Sequence, residues 1–420
     1  MITLLLVLTG MVTTAKATWY VSGPSGITNS TSDWGSQDDN IMTDLGDNIY
    51  QLVVVGKSLT KDTSYEYKIN DGSNWYGWGS SKSDNAYFSV HVTGTYTITY
   101  KFDASTNNVF EAEALLTSDP GVYLHSNKYW ANNDAYKFSN TDGTFSLDVD
   151  VADVNETFYY RFTLDGWTND FGAYGGNANL DNGILTGYEI NLNDGNFYKE
   201  DSKDHNFCLP LSTKPCAKLN LTLRFINHKV IMNMQCSEKV TTNGSGYCTF
   251  VSNYPLTISD ATAYVATDGG SGSATATAIT NPAASTPMLI KGDPSTTYYF
   301  AVAASGTDYS STNAFKPGTS TTETDGLAST AGGKYNYILN GNTFYKANGK
   351  KVAVGKAYLQ LTAEATGRAL IFDDEDVTGI NTVTSATTTD TEAYYNLAGQ
   401  RIDKPTKGLY IVGGKKVIVK

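Results

Sequence analysis

Residues 96–102 read YTITYKF, and this alternation of apolar or aromatic with polar side chains decides the fold class. Successive side chains of a strand point to opposite faces, so the pattern predicts one aromatic face and one polar face. Residues 65–69, YEYKI, repeat the pattern. Short runs of this kind recur between Asn, Gly, Asp and Ser clusters, while helical periodicity is nearly absent. The sequence therefore predicts an all-β protein of tandem Ig-like β-sandwich modules.

The composition of the 420-residue chain argues against several function classes. Lys and Arg total 30 against 42 Asp and Glu, a formal net charge of −12, so there is no basic excess for binding phosphate. With 12% aromatic and 17% charged residues, the chain is predicted to fold. Four His and four Cys leave few ligands for a metal or thiol enzyme. We therefore expect no nucleic-acid partner, no metal and no other cofactor.

The N-terminal residues 2–15, ITLLLVLTGMVTTA, are apolar over the length of a signal peptide. A small-x-small cleavage pattern, Ala15-Lys16-Ala17, follows. The run is too short for a transmembrane helix, and no Cys follows the cleavage pattern to carry a lipid. We expect an exported chain that begins near Thr18 and has no membrane span.

An internal repeat organises the first half of the chain. Each copy has an Asp-Gly dipeptide and a Trp after an aromatic third strand. Asp71-Gly72 of the first copy correspond to Asp165-Gly166 of the second, and Tyr67-Lys68 correspond to Tyr160-Arg161. Two copies of roughly 100–120 residues predict two sandwiches and not a solenoid.

The composition changes near residue 241, beyond which Trp is absent and Gly, Thr, Ser and Ala are more frequent. Residues 381–391, NTVTSATTTDT, are typical of a flexible linker. The predicted segments are a signal peptide at 1–17, a β-sandwich at 18–117, a divergent β-sandwich at 118–240, a β-rich accessory domain at 241–380, a linker at 381–391 and a small β tail at 392–420.

Tryptophans in polar loops are the strongest candidates for a binding site. Residues 75–78, WYGW, place two indoles on a turn rich in Gly, Asn and Ser. The apolar C–H face of a sugar stacks on an exposed indole, while Lys68 and Asp71 nearby can bind its hydroxyls. The alternative is that a Trp fills the core, which we expect for Trp19; for Trp34 and Trp130 both interpretations stay open.

Adjacent acids do not predict a catalytic site here. Asp38-Asp39 and residues 373–376, DDED, would splay to opposite faces of a strand, and no barrel-sized region is available to line a cleft with them. A solvated surface or a weak calcium site are the alternatives for these acids. His91 and His125 have no nucleophile nearby in sequence, and no G-x-S-x-G motif or P-loop is present. We expect no enzyme activity.

The four cysteines lie between residues 208 and 248. Residues 219–234 predict a hairpin that turns near Asn227-His228, which brings Cys216 and Cys236 within reach of a disulfide. Buried thiols are the alternative. A zinc site is not favoured, because no C-x-x-C or H-x-x-x-H spacing occurs.

The first module resembles a known family through residues 46–54, GDNIYQLVV, residues 64–79, SYEYKINDGSNWYGWG, and residues 94–109, GTYTITYKFDASTNNV. It is similar to the starch-binding modules of amylopullulanases and of outer-membrane starch-utilisation proteins in Bacteroidetes. In that family an aromatic after the first strand and a Trp pair after the third grip a helical α-glucan. The resemblance implies a carbohydrate site that contains Trp34, Lys68, Asp71, Trp75 and Trp78.

The second module resembles the same family less closely. The matching positions are Trp130, Arg161, Asp165 and Trp167. The second Trp of the pair is replaced by the neighbourhood of Phe171 and Tyr174.

The tail resembles the C-terminal sorting domain that the Por-type (type IX) secretion system of Bacteroidetes reads. Residues 396–401, NLAGQR, and residues 407–411, KGLYI, carry the match. The resemblance implies a secreted or surface-attached protein whose partners are the secretion machinery and an α-glucan polysaccharide. The expected function is non-catalytic binding of starch or glycogen. The alternatives are a structural or adhesive surface protein without sugar affinity and an accessory chain of an extracellular amylase system.

Overall fold

The computed structural model describes residues 17–79, 82–130, 133–154, 156–164, 169–171, 178–179, 183–192, 206–211, 216–320, 326–365, 369–372, 379–382, 394–395, 401–402, 407–412 and 415–419. Within these ranges the chain forms β-strands and two short 3-10 helices, so the predicted all-β class is confirmed. No helix in this part of the chain is long and apolar enough to cross a membrane. Nearly all of the predicted signal peptide and most of the predicted linker lie outside the described residues.

The chain divides into two compact units. Unit one comprises Met1–Lys239 and Tyr299–Ala304, and unit two comprises Val240–Tyr298 and Ser305–Lys420. Unit one contains both copies of the repeat.

In the first copy the described residues form nine strands and one 3-10 helix, Asp38–Asn40. The strands are β1 (Tyr20–Ser22), β2 (Thr43–Gly46), β3 (Ile49–Leu59), β4 (Tyr65–Asn70), β5 (Trp75–Tyr76), β6 (Ala86–Phe88), β7 (Gly94–Asp103), β8 (Asn108–Val109) and β9 (Glu113–Leu116). One sheet has the order β1-β4-β5, with β6 also paired to β4. A second sheet contains β2-β3-β7-β9, with β8 paired to β7.

Aromatic side chains from both sheets form the core of the first copy. Tyr67 on β4 packs edge to face on Tyr100 of β7, with ring centroids 4.9 Å apart, and both rings are buried. Trp19 is also buried and lies 4.6 Å from the ring of Phe102. The two sheets therefore pack face to face as a sandwich, and the expectation that Trp19 fills the core is confirmed.

The described residues of the second copy form ten strands and one 3-10 helix, Asp134–Tyr136. The strands are β10 (Val122–Ser126), β11 (Ser139–Thr141), β12 (Thr144–Asp150), β13 (Thr157–Leu164), β14 (Asn169–Phe171), β15 (Ala178–Asn179), β16 (Ile184–Asn191), β17 (Phe207–Pro210), β18 (Lys218–Ile226) and β19 (Lys229–Thr241). One sheet has the order β10-β13-β17-β15, with β14 on β13. The other contains β11-β12-β18-β19, with β16 on β19.

The hairpin of β18 and β19 joins the two copies inside unit one. Its turn lies at Asn227-His228, as the sequence predicts, because Ile226 opposes Lys229. Ile226 also pairs with Leu115 on β9, so one sheet continues from the first copy into the second. Asn227 Nδ2 donates to the Ala112 carbonyl at 2.9 Å, and this bond holds the turn against the first copy.

The chain beyond residue 241 is again made of strands. They are β20 (Tyr247–Val251), β21 (Leu256–Thr257), β22 (Thr262–Asp268), β23 (Ala274–Ile279), β24 (Pro287–Lys291), β25 (Thr297–Val302), β26 (Phe315–Pro317), β27 (Gly326–Leu327), β28 (Thr330–Ala331), β29 (Lys334–Asn340), β30 (Thr343–Lys346), β31 (Lys350–Lys351), β32 (Ala357–Leu361), β33 (Ala369–Phe372), β34 (Gly379–Thr382), β35 (Tyr394–Tyr395), β36 (Arg401–Ile402), β37 (Gly408–Val412) and β38 (Lys415–Val419). The main sheet has the order β20-β24-β22-β23-β34-β33-β30-β29-β32-β26, and its core includes Leu289, Phe315, Tyr337 and Phe344. The tail strands form a separate sheet, β36-β35-β37-β38.

The four cysteines, all among the described residues, form no disulfide. Cys216 and Cys236 are neighbours whose thiols hydrogen-bond, in place of the expected disulfide. In the hairpin register Cys236 opposes Leu219. Cys216 therefore contacts Cys236 from the segment that precedes β18. Cys216 Sγ lies 3.3 Å from the Lys218 carbonyl oxygen, which accepts a hydrogen bond from the thiol. The alternative of buried thiols therefore describes this pair.

Candidate functional site

The outer face of the β4 sheet carries two exposed aromatic rings. Tyr67 and Ile69 of β4 point into the core, so Glu66, Lys68 and Asn70 belong to the opposite face, where Asn70 is itself buried. Directly opposed residues of antiparallel strands share a face. Trp75 opposes Asn70, and Tyr87 opposes Glu66. Trp75 is 42% exposed and Tyr87 53% exposed, and the register places both on this outer face.

Trp78 is half-buried and anchored by its own indole. Its Nε1 donates to the Val109 carbonyl at 2.8 Å, and its ring meets Tyr87 edge to face with centroids 4.8 Å apart. Trp78 and Asp84 exchange two backbone hydrogen bonds of 2.9 and 3.1 Å, which close the turn before β6. The second indole of the WYGW run therefore supports Tyr87 and offers a ligand only the remaining part of its ring. We name Trp75, Trp78 and Tyr87 together the outer aromatic face.

Trp34 lies in a loop that is attached to the end of β4. Its backbone has a φ of 56°, a left-handed conformation that is uncommon outside glycine, and its N–H donates to the Gly23 carbonyl at 2.9 Å. Two residues later, Ser36 Oγ donates to Asn70 Oδ1, and Asn70 directly opposes Trp75. The structure thus ties the loop of half-buried Trp34 to the strand end beside Trp75.

Asp71 shapes the turn that presents Trp75. Its Oδ1 accepts the backbone N–H groups of Ser73 and Asn74 at 2.9 and 2.7 Å, and its Oδ2 accepts the Asn74 side-chain amide at 3.0 Å. These bonds, led by that from the Asn74 side chain, lower the pKa of the Asp71 carboxyl. Much of its hydrogen-bonding capacity is used within the turn, so Asp71 acts chiefly as a turn-forming residue.

Lys68 places a positively charged ammonium group on the outer face of β4. It is half-buried, and its Nζ donates to the Ser83 carbonyl at 2.5 Å. An ammonium has three donors, so two remain for hydroxyl groups. Glu66 on the same face is exposed and accepts a hydrogen bond from Asn85 Nδ2 at 2.8 Å. Donors and acceptors therefore flank the aromatic rings.

In the second copy the structure brings Trp130 and Arg161 together. The Arg161 guanidinium carbon lies 5.4 Å from the centre of the Trp130 ring, a cation–π contact, and Trp130 is 40% exposed. Asp165, Trp167 and Tyr174 lie outside the described residues. Phe171, which stands near the position of the second Trp, is buried 5.3 Å from the ring of Phe162. Phe171 is therefore a core residue and does not replace an exposed indole.

Sequence reasoning missed two exposed tyrosines. Tyr87 lies between buried Ala86 and Phe88, and this alternation could have marked it as outward-facing. Tyr129 precedes Trp130, is exposed and packs on Tyr136 with ring centroids 4.7 Å apart. Each copy therefore holds two exposed aromatic residues, Trp75 and Tyr87 on one face of the first copy and the sequence neighbours Tyr129 and Trp130 in the second.

No protein-family model matches the chain, and no curated protein matches it.

Proposed function

We propose that this protein is a non-catalytic α-glucan-binding protein and that the outer aromatic face of its first copy binds the polysaccharide. The observation that carries the proposal is the 42% exposure of Trp75, a large apolar ring held on a two-residue strand on the same face of the sheet as exposed Tyr87. A ring held in this way loses little conformational freedom on binding, so its contact with a sugar is gained at low entropic cost.

The chemistry of the face suits a sugar polymer. Aromatic rings stack on the apolar C–H faces of pyranoses, while the Lys68 ammonium and the Glu66 carboxylate bind hydroxyl groups. Each aromatic contact contributes about 0.5–1.5 kcal/mol beyond area burial. Two or three such contacts add to the free energy gained by burying the rings, and the cost of association is subtracted, so we expect weak binding with a Kd between about 1 mM and 1 μM.

The choice of an α-glucan rests on the resemblance of residues 46–109 to starch-binding modules. We also propose that the protein is exported and that its tail directs the sorting. This part of the proposal rests on the resemblance of residues 396–401 and 407–411 to the C-terminal sorting domain. Strand β37 of this tail pairs with β35 and β38. The proposed location is therefore the cell surface or the extracellular medium.

The experiment is native affinity electrophoresis of the full chain in gels that contain amylopectin, dextran or xylan. We expect retardation in amylopectin alone and normal mobility of Trp75→Ala. Tyr345→Ala is the matched control, because Tyr345 is an aromatic residue of similar exposure in unit two, at 46%. Equal mobility of the wild type in all three gels would contradict the proposal and favour a structural surface protein. Release of reducing sugar from soluble starch would favour a chain with amylase activity.

Tyr87→Ala tests whether the outer aromatic face includes a binding residue outside the WYGW run of residues 75–78. Loss of one aromatic contact should weaken amylopectin binding about threefold to tenfold. Tyr87→Phe keeps the ring and should bind like the wild type. Far-UV circular dichroism of each variant checks that the sheet is retained.

A further inference from the structure

Asp62, His91 and His228 form a cluster at the junction of the two copies, which we name the two-histidine cluster. One ring nitrogen of each histidine and a carboxylate oxygen of Asp62 all lie within 4.8 Å of one another. Asp62 and His91 belong to the first copy, and His228 belongs to the turn between β18 and β19. The cluster uses two of the four histidines in the chain.

Backbone hydrogen bonds hold the three residues in place. His91 N–H donates to the Asn227 carbonyl at 3.1 Å, directly beside His228. Asp62 N–H donates to the Val90 carbonyl at 2.9 Å, directly beside His91. The rings of His91 and His228 meet edge to face with centroids 5.7 Å apart. The fold itself thus brings the three side chains together.

The hydrogen bonds of His228 leave one ring nitrogen for a ligand. Its Nε2 lies 2.6 Å from Ser89 Oγ, while its buried Nδ1 has no hydrogen-bond partner among the described residues. A buried polar atom without a partner is destabilising, so an orphan of this kind calls for an explanation. With the proton on Nε2, donated to Ser89, the Nδ1 lone pair faces no donor. Histidines that bind metals commonly donate their second ring N–H in this way.

We propose that Asp62, His91 and His228 bind a zinc ion, with Nδ1 as the ligand atom of His228 and Ser89 as the residue that orients its ring. Two imidazoles and one carboxylate form a donor set that suits zinc, whereas calcium and magnesium prefer oxygen ligands. Three protein ligands leave the fourth tetrahedral position to water. Ligand atoms around tetrahedral zinc lie about 3.3 Å apart, given bonds of about 2.0–2.1 Å. The three ligand atoms, which lie within 4.8 Å of one another, must therefore move closer together when zinc binds.

The ion would join the two copies of the repeat. Two ligands come from the first copy and one from the hairpin turn of the second, so binding adds a link that the unfolded chain lacks. A ligand that binds only the folded state raises its stability in proportion to the logarithm of ligand concentration. Zinc should therefore raise the melting temperature, whether or not a glucan is present.

The test is zinc binding by isothermal titration calorimetry, with the full chain purified without a histidine tag and stripped by a chelator. We expect one zinc ion per chain, and zinc binding should persist in the presence of excess calcium. His91→Ala, His228→Ala and Asp62→Asn should each weaken zinc binding at least tenfold and remove the zinc-dependent rise in melting temperature. Ser89→Ala should weaken it about 10-fold to 100-fold, because the ring of His228 loses its orienting partner.

Asp47→Asn is the matched control for Asp62→Asn. Both aspartates are exposed turn residues of the first copy with left-handed backbones, at φ 50° and 57°, which asparagine tolerates. Asp47→Asn should bind zinc like the wild type. If a histidine variant fails to fold, Asp62→Asn still tests the proposed ligand set, because the Asp62 side chain is exposed and its replacement should leave the fold intact. Unchanged zinc affinity in Asp62→Asn would overturn the proposed ligand set, and no zinc binding by the wild type would overturn the site.

Discussion

Asn70 Nδ2 donates a 2.7 Å hydrogen bond to Ser22 Oγ, although 48 residues separate the two in the chain, and both side chains are buried. Asn70 Oδ1 accepts from Ser36 Oγ and, at 3.0 Å, from the backbone N–H of Gly72. One amide therefore connects β1, the loop of Trp34 and the turn before Trp75. Buried amides need partners on both ends, so these segments are held to one arrangement.

Asn70→Ala should destabilise unit one and weaken amylopectin binding together. The change removes the amide that donates to the buried Ser22 hydroxyl and accepts from the exposed Ser36 hydroxyl, at a cost of about 1–3 kcal/mol in the free energy of unfolding. Urea denaturation measures this cost. The control is Asn85→Ala, whose hydrogen bond to Glu66 is exposed and whose effect should stay within about 0.5 kcal/mol. Equal midpoints for both variants would contradict the connecting role of Asn70.

Gly77→Ala should disrupt the turn that carries Trp78. A Cβ at Gly77 would lie 1.8 Å from the Asp84 carbonyl oxygen, so the two backbone segments must move apart. We expect a loss of about 1–3 kcal/mol in thermal unfolding, as for other overpacked sites. Gly26→Ala is the control, because a Cβ there meets nothing within 4 Å. A Gly77→Ala protein as stable as Gly26→Ala would show that this close approach is not required.

Stability should fall as the pH drops below about 6.5, partly through His125. Burial lowers the pKa of His125 from 6.5, and the ring bonds with the Trp130 carbonyl and Thr163 Oγ1. Below pH 6.5 the unfolded chain therefore binds a proton that the folded chain does not, so acid favours unfolding. The stability contributed by neutral His125 is present above the unfolded pKa and is lost as the pH falls through the folded pKa.

The measurement is the free energy of unfolding by urea at pH 7.5 and at pH 5.5. His125→Gln should lose less stability between these pH values than the wild type does. Asp103 does not interfere, because hydrogen bonds from the side chains of Ser105 and Thr106 lower its pKa to about 2. Identical losses in the wild type and the variant would contradict the assignment to His125.

The cysteines should react as thiols, with Cys208 first. Burial raises the pKa of Cys248 to about 11 and also raises the pKa of half-buried Cys208, while the hydrogen bond with Cys216 and burial raise that of Cys236. Iodoacetamide at pH 8, followed by mass spectrometry, should label Cys208 before the three buried cysteines. Under denaturing conditions without reductant all four should be labelled. Protection of Cys216 and Cys236 in the denatured chain would indicate a disulfide between them.

The fold class follows from local pattern because strand pairing has a period of two. In residues 96–102 every second side chain is buried, from Tyr96 through Ile98 and Tyr100 to Phe102, as the alternation predicts. The two-residue turn at Asn227-His228 was also predictable from the runs that flank it. The resemblance of the second module placed Trp130 and Arg161 in one predicted site, and the structure brings the two side chains into contact.

The sequence by itself determined an all-β chain, the hairpin turn and the presence of tryptophans in polar loops. These features depend on neighbours one or two residues apart. Only the tertiary structure decided which rings are exposed: Trp78 is anchored by a carbonyl 31 residues away, and Phe171 is buried. It also decided that His228 meets Ser89, 139 residues earlier, and lies near Asp62 and His91, a grouping that the sequence pattern did not predict. Such contacts arise because sheet pairing and sandwich packing join distant segments, and no local period in the sequence encodes which distant segments meet.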